Sequence, residues 1–270
     1  MAKSFPLDLY IIEGKTYRTP EDVALIIKKI GTNSSGAGHL HIDRKDLFDI
    51  KELIAPLHKT SSNLLGPLDL KEKYYVVPPG KEFRWIGDSG SKCRLIGDLI
   101  ILGPGETLGE PYRSRFENQH KSGYTYVEGT YAFGTDEAWK ADQEVVVLSL
   151  TPLTVERYTF NGPVMVSISG DTVSEGDFGI RFKYQRAELD ALLETTVVGG
   201  IDALSMPRPP ADTTEQEPFT LEKTPIVVEG DKTLEIRARN ISGADKSPAS
   251  GSNWSVTVTA IVLYESLGGA

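Results

Sequence analysis

His39-Leu40-His41-Ile42-Asp43 is the one run in this sequence whose residue types and spacing suit metal chemistry. Side chains on a strand alternate between faces, so there His39, His41 and Asp43 would share a face. Two imidazoles with a carboxylate hold zinc or iron. The competing reading, preferred on local signals, is a solvated loop with Asp43 capping a following helix. Gly31-Thr32-Asn33-Ser34-Ser35-Gly36-Ala37-Gly38 lacks the Lys-Ser/Thr pair of a phosphate loop and follows no strand in this reading. Gly170 to Asp177 gathers three carboxylates in an oxygen-rich turn of the kind calcium favours. Its spacing is not that of an EF-hand, and a hairpin connection is the reading adopted.

Nucleophilic chemistry finds no footing. No Gly-x-Ser-x-Gly elbow occurs, and none of the four histidines stands in a triad context. Cys93 sits between Lys92 and Arg94, where basic neighbours lower a thiol pKa, but alternation turns it inward with Leu95. Tyr112, Tyr124, Tyr126, Tyr131 and Trp139 crowd a polar stretch. Exposed, such rings stack on sugars or anchor a partner; as strand residues they cover a core. No catalytic residue, metal ligand or cofactor is assigned, and an enzyme is not expected.

The elements that would position these residues read as β. Thr233–Arg239 and Trp254–Tyr264 alternate polar and apolar residues, with Leu234, Ile236 and Ala238 on one inner face and Trp254, Val256 and Val258 on another. Beyond Ala260 both faces are apolar, which takes the last strand into a core. Further strands are expected at Tyr74–Val77, Glu82–Ile86, Arg94–Leu102, Tyr124–Phe133, Glu144–Leu150, Val155–Phe160, Val164–Ser169, Phe178–Tyr184 and Ile226–Glu229. Gly/Pro/Asp-rich turns separate them.

The first sixty residues read differently. Thr19-Pro20-Glu21-Asp22 has the form of a helix start, Val23, Ile26, Ile27 and Ile30 fall on one helical face, and Gly31 stops it. A second helix is expected from about Asp43 to Leu57, and a short one from Ala187 to Thr195. Gly199–Pro225 is proline-rich yet carries Ile201, Leu204, Met206, Phe219 and Leu221. It reads either as a surface crossover or as an interaction arm. The division expected is a helical segment over residues 1–70 and a β-sandwich over 71–270, with an excursion at 199–225. No repeat of fixed period is visible.

Composition bounds the function classes. Apolar residues are 39% and charged ones 25%, values that fit a folded globular chain. No apolar run approaches the ~20 residues of a membrane-spanning helix. The N-terminal residues lack the h-region of a signal peptide, so export is not expected and the sequons at Asn33, Asn240 and Asn253 carry little weight. One cysteine rules out an internal disulfide and agrees with a reducing cytoplasm. A net charge of −9 argues against direct nucleic-acid binding.

The closing pair, Thr233–Asn240 and Trp254–Glu265 joined by the polar loop Ile241–Gly251, resembles the closing strands of jelly-roll virus and phage structural proteins. That resemblance implies an all-β, jelly-roll-like sandwich or barrel that self-assembles into a virion or shell. The protein would be made in the host cytoplasm, with copies of itself or other shell proteins as partners. On this reading Val23, Ile26, Ile27, Ile30, Leu204, Met206 and Phe219 are the expected interface. Two other classes stay open: a glycan- or receptor-binding β-module using the Tyr/Trp stretch, and a metal-dependent enzyme. For the latter, His39-x-His41 is similar to the His-x-His of the cupin family. It differs in lying ahead of the β-region, with Asp46 in place of the family's glutamate.

Overall fold

The structure, a computed structural model, describes residues 2–51, 67–169, 178–184, 201–202, 219–223, 225–248, 251 and 253–268. The chain divides into two units, with the boundary between Tyr126 and Val127; Leu263–Glu265 group with the first. The division expected from the sequence lay at residue 70.

The first unit is built on β1 (Lys3–Ile12), β2 (Thr16–Arg18), β3 (Val23–Thr32), β4 (His39–Ile42), β5 (Lys45–Asp46), β6 (Leu68–Asp69), β7 (Tyr75–Val77), β8 (Glu82–Ile86) and β9 (Lys92–Ile101), with a 3-10 turn at Lys71–Lys73 and, among the described residues, one α-helix, α1 (Tyr112–Asn118). The pairings give its architecture. First strand pairs with last, as β1 runs beside β9 in unbroken antiparallel register from Lys3↔Ile101 to Ile12↔Lys92. Second pairs with second-last (β2·β8), third with β6 and β7, and fourth with fifth (β4·β5). β9 then also pairs with β3, and β8 with β4, which rolls the doubled hairpin into two sheets, β1-β9-β3-β6 and β2-β8-β4-β5. That wiring is a jelly roll.

The expected helix over residues 19–31 is instead β3. Val23, Ile26, Ile27 and Ile30 do not form a helical face: Ile26, Ile27 and Ile30 are buried inside this unit and Val23 is half-buried. Two causes hid the strand. α1 covers one side of β3, its Tyr112 and Phe116 packing on Ala24, Ile26 and Val76, so both faces are apolar and alternation is lost. A register shift between Ile27 and Lys29 then places Lys28 and Lys29 side by side in the exposed positions that mimic a last helical turn. Thr19 caps nothing helical; its hydroxyl donates to Pro78 O at 2.7 Å and accepts from Lys81 N at 3.1 Å. Nor is there a helix at 43–51, which holds β5 and a bridge of Ile50 to Gly38. The remainder of that expected helix lies outside the described residues.

α1 is fixed by side chains that substitute for backbone. Gln119 donates to Val76 O at 3.2 Å and accepts from Val76 N at 2.8 Å, filling the position of a neighbouring strand. Arg115 donates to the carbonyls of Lys73, Tyr74 and Ser122, and burial lowers its pKa. Cys93 is fully buried beside Leu95, and burial pushes its thiol well up.

The second unit contains β10 (Ser122–Ala132, from Val127 onward), β11 (Glu144–Leu150), β12 (Glu156–Phe160), β13 (Pro163–Ser169), β14 (Phe178–Tyr184), β15 (Ile201–Asp202), β16 (Phe219–Thr220), β17 (Ile226–Glu229), β18 (Leu234–Asn240) and β19 (Ser255–Ser266). The pairings repeat those of the first unit: β10·β19, β11·β18, β13·β16 and β14·β15, rolled by β19·β13 and β18·β14. An added antiparallel pair, β12·β17, extends one sheet. Leu234, Ile236, Ala238, Val256, Val258 and Val262 are fully buried, in line with the alternation of the closing strands. Phe133, Trp139 and Trp254 form an aromatic cluster, with Phe133 and Trp254 stacked at 4.3 Å.

Gly199–Pro225 is not wholly irregular, since its ends supply β15 and β16, each at a sheet edge where proline-rich chain is tolerated. Leu204, Met206, the acidic turn at 170–177 and the expected helix at 187–195 lie outside the described residues. Phe219 is placed in β16 by its backbone.

Two outcomes test this fold. Gly97 lies opposite the β3 irregularity, where an added Cβ would sit 1.9 Å from Ile26 O. Gly97→Ala is expected to cost about 3 kcal/mol, the upper end for overpacking, and to lower Tm by roughly 6–12 °C; melting at the wild-type temperature would count against the register. Trp254→Ala is expected to lose about 3–5 kcal/mol, read by denaturant unfolding, because it empties the aromatic cluster.

Candidate functional site

The β2-β8-β4-β5 sheet presents its inner face through Leu40, Ile42, Phe83 and Trp85, all buried. Alternation therefore sends His39, His41, Glu82 and Arg84 to the outer face. Register aligns Thr16, Arg84, His41 and Asp46 in one row across all four strands. The histidines are thus strand residues and not a loop before a helix. Asp43 is not a cap: with Arg44 it makes the two-residue turn of the β4–β5 hairpin, at φ of 45° and 69°.

Each imidazole is held by a carboxylate. His41 Nδ1 lies 2.7 Å from Asp46 Oδ1, and His39 Nδ1 lies 3.0 Å from Asp49 Oδ1. His39 Nε2 is 3.3 Å from Asp46 Oδ1, but in a geometry that makes no hydrogen bond. The His41 hydrogen bond is the main cause holding the Asp46 carboxyl below its usual value. An ionised Asp46 only accepts, so His41 Nδ1 carries the proton. Such pairs orient a ring and relay a proton. Among the described residues no group of three or more His, Cys, Asp or Glu is arranged to hold a metal ion. The cupin-like placement of a His pair inside the barrel is also not met, because Leu40 and Ile42 occupy the inward positions.

Beside this row opens a pocket of about 350 Å³, lined by Arg18, Arg44, Lys81 and Arg84 together with Thr16, His41, Asp43 and Glu82. Lys81 pairs with Asp43 at 3.0 Å, and Arg18 with Glu21 at 3.0 Å. Sequence reasoning missed this basic group. Arg84 was legible from the outward positions of Glu82–Ile86; Arg18 and Arg44 required β2 and the β4–β5 hairpin, which the sequence did not announce. The aromatic stretch weighed as a sugar platform is largely spent on packing: Trp139 and Tyr124 are buried, and Tyr131 packs against the second unit's core.

No protein-family model and no curated protein matches this sequence. Solved structures do. The PBCV-1 virus capsid model is 11% identical with a TM-score of 0.31, over 100% of this chain and 97% of that one. The major capsid protein of bacteriophage PM2 is 10% identical with a TM-score of 0.31, over 97% and 98%. A turret protein of Sulfolobus turreted icosahedral virus is 9% identical with a TM-score of 0.21, over 98% of each chain. The chain is weakly similar in structure to these viral proteins. The jelly-roll assignment itself rests on the strand pairings of this chain.

Asp46 gives a pH prediction. A carboxyl whose folded pKa is lowered stabilises the fold above its unfolded pKa, and that stabilisation is lost as pH falls through the folded value. The side chain is mostly exposed, so screening limits the effect to within about 1 kcal/mol. Asp46→Asn is expected to be slightly less stable than wild type at neutral pH and equal to it at strongly acid pH, read by thermal melts. A gap that widens on acidification would contradict the pairing.

Proposed function

We propose that this protein is a structural, self-assembling component of a virion or protein shell, working through contacts between subunits. The observation that carries the reading is the occurrence of two jelly-roll sandwiches of the same wiring in one chain. Jelly rolls serve in capsids, lectins and cupins, so the residues must choose among them. The outward His39 and His41 speak against a cupin centre, and the buried Trp139 and Tyr124 against an aromatic sugar platform.

Surface features support association. β1 stands at a sheet edge among the described strands and exposes Phe5 and Tyr10, each nearly half accessible. A ten-residue edge strand with apolar side chains is a template for pairing with another chain. In the second unit Leu153, Val155 and Leu267 are all at least half exposed, and Leu267 N donates to Val155 O at 2.7 Å. Apolar groups gathered this way mark contact surfaces. Partners are copies of this chain or other shell proteins, and the destination is a virion.

Sedimentation velocity over a concentration series tests this. The intact protein is expected to form defined oligomers or larger shells, and Leu153→Asp with Val155→Asp to shift it towards monomer without loss of β structure. A wild-type protein that remains monomeric at high concentration overturns the proposal.

A further inference from the structure

We propose that the outer face of the β2-β8-β4-β5 sheet is a binding site for a phosphate-type oxyanion, held by Arg18, Arg44, Lys81 and Arg84. The molecule carries a net charge of −9, yet this pocket collects four cationic side chains against two carboxylates, Asp43 and Glu82. Pairing decides which of these charges is available: Asp43 holds Lys81 at 3.0 Å. Glu21 holds Arg18 from outside the lining. Among the described residues the guanidinium groups of Arg44 and Arg84 have no hydrogen bond or ion pair. The planar fork of a guanidinium matches tetrahedral oxyanions in bidentate fashion.

The second unit supplies an internal control. Its equivalent sheet, β11-β18-β14-β15, also places arginines on β14 and β18, but there each one is neutralised. Arg237 pairs with Glu144 at 2.8 Å, Arg181 with Glu144 at 3.4 Å, and Arg239 with Asp142 at 3.0 Å. The same wiring thus carries closed ion pairs in one unit and open guanidiniums in the other. Backbone conformation points the same way. Consecutive positive φ values at Asp43 and Arg44 define a turn that favours Asn-Gly or Asp-Gly, and a long side chain there is strained.

The ligand chemistry follows from the lining. Phe83 is buried and Tyr17 stacks on it at 5.7 Å, so no exposed ring is available for a base or sugar face. Charge does the recognising. A phosphate group satisfies this whether free or carried on a lipid headgroup.

The test is titration with inorganic pyrophosphate by calorimetry at constant ionic strength, alongside flotation with phosphatidylcholine vesicles containing phosphatidic acid. Wild type is expected to bind at least one of the two, with affinity reduced tenfold or more in Arg84→Gln and in Arg44→Gly. Arg44→Gly relieves the turn, so its Tm without ligand should equal or exceed wild type, which separates lost binding from lost folding. Arg181→Gln in the second unit should bind as wild type. Pyrophosphate binding without vesicle binding assigns a free anion. Vesicle binding abolished by pyrophosphate assigns a headgroup. Binding of neither, or wild-type binding by both Arg84→Gln and Arg44→Gly, overturns the proposal.

Discussion

Closure of each unit depends on one kind of interaction: the first strand hydrogen-bonds to the last. In the first unit this is the ten-pair ladder of β1 with β9, and in the second the pairing of β10 with β19. Contacts so distant in sequence cost loop-closure entropy that local structure does not repay. They are stabilised by what they enclose. Leu95 and Cys93 on β9, and Val256 and Val258 on β19, are fully buried. With first and last strands locked, the remaining pairs follow inward to the β4–β5 hairpin and the β14–β15 pair.

The same closure explains why chemistry gathers on outer faces. In the first unit Trp85, Leu40 and Ile42 take the inward positions of their sheet, so His39 and His41 face out. Two sheets in equivalent positions then diverge by side chain alone. β18 and β14 carry arginines neutralised by Glu144, Glu235 and Asp142, whereas β8 and the β4–β5 turn carry Arg84 and Arg44 open. One scaffold used twice thus serves a neutralised surface in one unit and a cationic pocket in the other.

Much of the second unit was legible from sequence. Glu144–Leu150, Phe178–Tyr184 and Ile226–Glu229 are strands with the expected ends, because half-buried strands alternate and Gly/Pro turns bound them. In the first unit β7, β8 and β9 were legible in the same way, β8 with the expected ends, but the rest was not, for reasons particular to its residues. β3 is covered on both sides and kinked at Ile27, so its apolar spacing reads as helical. β2, β5 and β6 are two or three residues long and carry no period. α1 went unread because its start at Pro111 has no side-chain cap. The structural repeat left no trace in sequence, since wiring is specified by alternation and turn positions and not by residue identity. The cationic pocket depended on register between strands that the sequence could not pair.

The closure itself is open to direct measurement. Thr130 on β10 and Thr257 on β19 bring their hydroxyls within 2.8 Å, and the native Cys93 is buried and will not compete. In the Thr130→Cys, Thr257→Cys variant, mild oxidation should give a near-complete disulfide within one chain, detected by mass and by altered electrophoretic mobility. Thiols that stay free in the folded protein would contradict the pairing of first and last strands, and with it the jelly-roll account.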